Sequence, residues 1–198
     1  MKTTVILVRH GVTKWNTLHK LQGKSDIPLA KEGIREAELL AKRLSEFPIE
    51  KIYTSKLKRA VQTGLIVAQE LKLEIEEHEG LNERDYGEYE GKTWEEVGIS
   101  FTPRKRISFY LKPKKGEHYP KFHKRAVKTF NKIIKKHIGQ TILVVCHGGV
   151  LNALLRHVNN ISNEIDTHYS FPNASVTVFE IVENKINPVV VADAEHLE

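Results

Sequence analysis

Two uninterrupted apolar runs, Val5-Ile6-Leu7-Val8 and Ile142-Leu143-Val144-Val145, constrain the fold of this chain most. Short, β-branched and without polar alternation, they are of the kind that fills the middle of a sheet. Together with them, strand candidates fall at 4–8, 50–54, 74–76, 141–145, 175–182 and 186–192. Helical periodicity fills the intervals. Ile34, Ala37, Ala41 and Leu44 share one face of a helix over about 31–46. Leu57, Ala60, Val61, Leu65, Ala68 and Leu71 do so over 56–71, and Phe122, Ala126, Phe130, Ile133 and Ile134 over about 120–136, while Val150 to His157 begins a fourth helix. Strands alternating with helices predict an α/β fold, a three-layer sandwich with a mostly parallel central sheet flanked by helices. The expected domain is single, 1–198, with an irregular cover segment near 98–118.

Both core runs end in the same chemical way. The first runs into Arg9-His10-Gly11 and the second into Cys146-His147-Gly148-Gly149. In open parallel sheets, ligands bind beyond the carboxyl ends of strands. Glycine lets backbone N–H groups approach an anion, and a helix starting near 149 offers its positive dipole end. One histidine at a strand end is usually a satisfied core imidazole. Two such endings, one beside Arg9, point to a site. In "YTSKLKRAVQT", residues 53–63, Lys56, Arg59 and Thr63 are expected on the face opposite much of the apolar stripe. Arg59 sits in the first turn after a strand end, where its guanidinium fork can reach a phosphate. Glu83 lies in the charge-rich loop "LNERDYGEYEGKTW", residues 81–94, and spacing alone does not separate a working carboxylate from a surface one.

Composition bounds the partners. A net charge of +6 suits an acidic ligand without naming it. Basic residues are spread along the chain, which gives weak support for a nucleic-acid face. No apolar run is long enough to span a bilayer and no signal-peptide pattern opens the chain, so a membrane partner is not expected and the cytoplasm is. Cys146, the sole cysteine, excludes an internal disulfide and fits a reducing compartment. The oligomeric state is open, a homodimer being one option.

With these residues in view, the sequence resembles the histidine phosphatase superfamily, also called the phosphoglycerate mutase-like family. "LVRHGVTKWN" is similar to its signature and "LQGKSDIPLAKEG" (21–33) to its phosphate-neighbouring loop. "IYTSKLKRAVQT" resembles its second arginine motif, "LNERDYGEYEG" its acidic loop and "VCHGGVLNALL" its second histidine motif. "FPNASVTVFEI" and the terminal His196-Leu197 also fit, so the resemblance spans nearly the whole chain. It implies that His10 is a nucleophile forming a phosphohistidine, with Arg9, Arg59 and His147, best protonated, around the phosphoryl oxygens. Glu83 would protonate the leaving alcohol and then accept a proton from water. Asn16, Gln22, Gly23 and Gly148 would line the phosphate site. Neither metal nor cofactor is implied, and the expected partner is a small phosphorylated substrate.

Rival motifs fail on spacing. A Cys-x5-Arg phosphatase built on Cys146 would need arginine at 152, where the chain has Asn152. "GEYEGKT", residues 87–93, is one residue short of a nucleotide P-loop and follows no apolar strand. The ten histidines show neither HExxH nor a paired-cysteine zinc spacing. Within the resembled family, the short interval from Gly91 to Cys146, together with Glu90-Gly91, favours a phosphatase. Asn82-Glu83-Arg84 with Tyr86-Gly87 keeps a cofactor-dependent phosphoglycerate mutase as the alternative. A phosphoprotein-binding or phosphoprotein phosphatase module is a third reading. Gly116-Glu117-His118 departs from the Gly-Glu-Ser of many phosphatase relatives; His118 is read as a surface helix-start residue. The basic stretch 103–115 does not name a substrate.

Overall fold

The structure is a computed structural model, and it describes residues 1–98, 111–162 and 169–198. Most of the expected cover segment, including most of the basic stretch 103–115, lies outside the described residues. The strands are β1 (Lys2–Arg9), β2 (Lys51–Thr54), β3 (Ile75–Glu77), β4 (Thr141–Cys146), β5 (Val176–Val182) and β6 (Lys185–Asp193). The helices are α1 (Lys14–Thr17), α2 (Lys31–Leu44), α3 (Lys58–Leu71), α4 (Tyr119–Lys136) and α5 (Gly148–Val158). One sheet holds the strands in the order β3-β2-β4-β1-β5-β6. The β3-β2, β2-β4 and β4-β1 pairings are parallel, whereas β5 runs antiparallel to both of its neighbours. The reversal at the β6 edge is a two-residue hairpin, with Glu183 and Asn184 both in the left-handed region (φ 50° and 64°), as a type I′ turn requires.

β1 and β4 lie side by side in the middle, Val5 opposite Ile142 and Val8 opposite Val145. Alternate residues along each feed opposite layers. Ile6, Val8, Leu143 and Val145 pack against Leu40, Leu44, Ala60 and Val67 of α2 and α3. Val5, Leu7, Ile142 and Val144 pack against Phe122, Phe130, Val150 and Leu154 of α4 and α5. Burial on both faces is why neither strand could alternate. Each fully buried Val, Leu, Ile or Phe side chain contributes about 1.5–3 kcal/mol relative to exposure, and these two layers hold the sheet between them.

The helical stripes differ in detail from those the sequence predicts. On α2 the buried residues are Gly33, Ala37, Leu40, Ala41 and Leu44, and Ile34 is 42% exposed. On α3 they are Arg59, Ala60, Thr63, Gly64, Val67 and Ala68, with Leu65 51% exposed. Arg59 and Thr63 therefore lie on the buried face, not opposite it. The first turn of α3 stands at the carboxyl end of the sheet, so its inner face meets polar groups there and only further along meets the core.

Chain direction makes a crevice. From β1 the chain passes to α2 on one face, and from β4 it passes to α5 on the other. Two adjacent parallel strands leaving to opposite faces open a gap at their carboxyl ends, the usual place for a ligand. No helix among the described residues is long and apolar enough to cross a membrane.

Candidate active site

Three neighbouring strand ends deliver the first groups. The backbone N–H of His10 donates to the Cys146 carbonyl (3.0 Å), and that of Ser55 donates to the Val145 carbonyl (3.1 Å). The strand ladder thus extends to residues whose side chains already face the crevice. His10 and His147 are 3% and 1% exposed, and their rings stand 5.2 Å apart between centroids.

Hydrogen bonding fixes both imidazoles. His10 Nδ1 lies 2.7 Å from the Gly11 carbonyl oxygen. A carbonyl can only accept, so the proton is on Nδ1 and the Nε2 lone pair is free. Burial, and then the charges of Arg59 and Arg9, push the His10 imidazolium well below its usual range. At His147 the Arg59 Nε–H donates to Nδ1 (3.3 Å), which leaves the ring proton on Nε2, donating to Ser55 Oγ (2.7 Å). Burial first, then Arg59, His10 and Arg9, push this histidine well down as well. In the free site, burial and then the neighbouring guanidinium groups favour the neutral imidazole at His147. The protonated form that the resemblance implies for turnover needs added negative charge beside it.

Arg59, 1% exposed, donates Nη1–H to the Ser25 carbonyl (2.8 Å) and Nη2–H to the Gly23 carbonyl (2.7 Å). With Nε on His147, three of the five guanidinium N–H groups are committed, and one remains on each terminal nitrogen. Burial lowers its pKa to about 10, opposed by Glu83, Asp26 and Glu90, so it stays charged near neutrality. Arg9 donates Nη1–H to the Phe171 carbonyl (2.5 Å), while its Nε is buried without a hydrogen-bond partner among the described residues. A cation with an unpaired N–H at a strand end is a preformed donor for an anion. Gly148 opens α5 against it: a Cβ there would lie 3.6 Å from Arg9 Nε.

Glu83 reaches the same place from the opposite wall. Its Oε2 accepts from the Gly149 N–H (2.9 Å) and its Oε1 from the Arg84 N–H (2.8 Å). Gly149 must lack a side chain, since a Cβ would stand 2.2 Å from Glu83 Oε1. The carboxylate thereby sits on the first turn of α5, where the helix dipole favours negative charge. The loop behind it is held by Arg125 of α4, which donates to the Gly80 and Asn82 carbonyls (3.0 Å each) and pairs with Glu117 through Nε (3.0 Å) and Nη2 (2.7 Å). Asn82 Oδ1 accepts from the Lys56 N–H (2.9 Å), tying the loop to the end of β2.

The remaining sequence candidates fall nearby in different capacities. Asn16 closes a capping box on α1, its Oδ1 accepting from the Thr13 N–H (3.0 Å) and hydroxyl (2.9 Å). It connects to the His10 backbone through Asn173, whose Nδ2 donates to the His10 carbonyl (2.9 Å) and lies 3.4 Å from Asn16 Oδ1. Gln22 is buried with Oε1 unpartnered among the described residues, and Gly23 contributes its carbonyl to Arg59. His118 is exposed at the start of α4. Sequence reading passed over Ser55, Asn173 and Arg125. The first two sit inside quoted motifs, at strand or loop positions beside the histidines; Arg125 acts across forty residues of chain and has no local signal. Among the described residues no group of three or more His, Cys, Asp or Glu is arranged to hold a metal ion.

The buried neutral histidines give stability a defined pH dependence. Their folded pKa values lie below the unfolded value of 6.5, so below pH 6.5 the unfolded chain binds protons that the folded one does not. Their contribution is fully present above that pH and is lost as pH falls through the window beneath it. Each adds up to about 1.4 kcal/mol per pH unit to the slope. Urea unfolding between pH 7.5 and 5 should show falling stability, and His10→Ala should flatten the decline. An unchanged slope in that variant would contradict a neutral buried His10.

Three comparisons bear on this arrangement. The family model described as histidine phosphatase superfamily (branch 1) matches residues 5–194. Phosphoglycerate mutase-like protein 4 of Arabidopsis thaliana is 34% identical over 98% of this chain and 86% of its own length. The metal-independent phosphoserine phosphatase of the same plant is 33% identical over 98% of this chain and 83% of its own. Among solved structures, YhfR of Bacillus stearothermophilus superposes with a TM-score of 0.90 at 33% identity, covering 99% of this chain and 100% of that one. Whole-length similarity in sequence and in fold places this chain in the histidine phosphatase superfamily, alongside a phosphoserine phosphatase and a phosphoglycerate mutase-like protein.

Proposed function

We propose that this protein is a metal-independent phosphomonoesterase that hydrolyses a small phosphorylated metabolite through a phosphohistidine on His10. One observation carries the reading: an imidazole with its Nδ1 proton held by the Gly11 carbonyl presents a free Nε2 in a buried space within the field of the Arg59 and Arg9 guanidinium groups. In the proposed cycle the phosphate dianion meets Arg9 and the two uncommitted N–H groups of Arg59. His10 Nε2 attacks phosphorus as the bond to the alcohol oxygen breaks, and Glu83, in its acid form, gives that oxygen its proton. Water then attacks the phosphohistidine while Glu83 takes one of its protons, releasing phosphate and free His10. The guanidinium groups neutralise charge spread over the equatorial oxygens. A bound dianion adds negative charge beside His147 and favours its protonation, so the neutral ring described above belongs to the free site. The similarity to a metal-independent phosphoserine phosphatase supports the hydrolytic reading. A mutase is the second reading, supported by the similarity to a phosphoglycerate mutase-like protein and by Asn82-Glu83-Arg84. No nucleic-acid or membrane partner belongs to either, and the cytoplasm is the expected setting.

Incubation with p-nitrophenyl phosphate in chelator should release p-nitrophenol, and quenching in base should trap a phosphoryl adduct on His10 by mass spectrometry. Dependence on added metal, or an adduct elsewhere, would refute the mechanism. With 3-phosphoglycerate, isomerisation stimulated by 2,3-bisphosphoglycerate without phosphate release would replace the phosphatase by the mutase.

A further inference from the structure

Glu90 is not one of the groups that face the reacting phosphate in the cycle above, yet its carboxylate accepts four hydrogen bonds. Oε1 takes the N–H of Lys24 (2.8 Å) and of Tyr86 (3.1 Å); Oε2 takes the N–H (2.9 Å) and the hydroxyl (2.6 Å) of Ser25. Gly23, at φ +52°, passes so close that a Cβ would lie 2.0 Å from Oε1. The two segments are also paired by backbone, Leu21 N–H to the Lys92 carbonyl (2.8 Å) and Gly91 N–H to the Leu21 carbonyl (2.8 Å). The carbonyls of Gly23 and Ser25, on either side of the amides that Glu90 holds, are the two that receive the Arg59 guanidinium. Tyr86, on the same carboxylate oxygen, lies three residues from Glu83.

We propose that Glu90 is the positioning residue of the phosphate clamp: by fixing the 23–25 turn it sets the orientation of Arg59, and by holding Tyr86 it keeps that turn in register with the loop bearing Glu83. The inference rests on the phosphoryl-transfer reading of this site. A flexible loop of backbone carbonyls would let the guanidinium rotate. Four bonds on one carboxylate hold the turn that anchors Arg59, and with it the two uncommitted guanidinium N–H groups, in one orientation, which is the pre-organisation that charge stabilisation needs. Glu90 also supplies negative charge near Arg59, favouring its charged form.

The test is a double-mutant cycle on Glu90 and Arg59, read as the Kd for inorganic phosphate and as kcat/KM for p-nitrophenyl phosphate. Glu90→Ala should weaken both by about 10- to 100-fold in the wild-type background; once Arg59→Ala is present the loss of phosphate affinity should fall below about twofold, while kcat/KM keeps only the smaller part that passes through Tyr86 and the Glu83 loop. Glu90→Gln keeps the length and part of the acceptor set, so it should recover most of the loss. If Glu90→Ala does not fold, Glu90→Gln carries the cycle, with a smaller loss of phosphate affinity that again vanishes beside Arg59→Ala. Equal losses in both backgrounds, or a folded Glu90→Ala with unchanged phosphate affinity, would overturn the proposal. Coupled phosphate binding in a protein that hydrolyses nothing would uphold the clamp and reject the hydrolase. Hydrolysis with a trapped phosphohistidine and an uncoupled cycle would reject the clamp alone.

Discussion

Replacing His10 by alanine should lower kcat for every phosphomonoester by roughly 10⁴- to 10⁶-fold, the range expected when the nucleophile of a covalent mechanism is removed. The size follows from what is left behind. Arg9, Arg59 and Glu83 are anchored to other elements: Phe171 for the first, Gly23 and Ser25 for the second, Gly149 for the third. None depends on the His10 ring for its place. The variant should therefore bind inorganic phosphate within a few-fold of wild type while failing to form the covalent adduct. Calorimetry of phosphate binding and rapid-quench measurement of the adduct separate the two. A variant that still turns over within about tenfold of wild type would exclude a phosphohistidine on this residue.

Glu83→Gln should lower steady-state turnover by about 10²- to 10⁴-fold, the usual contribution of a positioned acid–base group. Its signature is more diagnostic than its size. p-Nitrophenolate is a weak base and departs without a proton, so the variant should release one equivalent of p-nitrophenol in a burst and then stall, lacking the base for hydrolysis of the phosphohistidine. An alkyl phosphate needs the proton at once and should show no burst. The backbone donors at Gly149 and Arg84 both point at the Glu83 carboxylate, so the glutamine amide loses one acceptor; Glu83→Ala should show the same burst, which separates proton transfer from loop distortion. Equal losses for both substrates, without a burst, would remove Glu83 from the proton-transfer role.

The sheet was legible because its central strands are short, apolar and double-faced. Val5 to Val8 and Ile142 to Val145 pair in register and fill both layers. The helical stripes were less so. Ile34 and Leu65 satisfy the same periodicity as the buried residues but fall at the edge of the contact, where only the neighbouring helix and sheet decide exposure. Polar Arg59 and Thr63 read as an outward face because hydropathy ignores what lies past the end of a sheet. The strand-end histidines announced a site through their repetition. The supporting residues did not: Ser55 sits inside a motif without a role of its own there, Arg125 has no local signal, and Glu90, which the sequence offers only as part of the Glu90-Gly91 pair, gains its role when the fold brings the amides of the 24–25 turn to it. What favours the neutral form of His147 in the free site, its burial and the Arg59 Nε–H on Nδ1, likewise has no sequence pattern.

Anchorage divides the site into two mechanical halves. His10 extends the innermost ladder of the sheet and His147 directly follows its last residue, Cys146; the amides of that ladder should exchange with solvent only when the whole molecule opens. Glu83, Glu90 and Tyr86 belong to a loop region held by side-chain hydrogen bonds rather than by the ladder. The two halves meet where Glu90 holds the turn that receives Arg59 and where Glu83 accepts from Gly149. A lineage built on this frame is free to trade one metabolite for another by rewriting loop positions other than these tethers, while the nucleophile stays on the sheet.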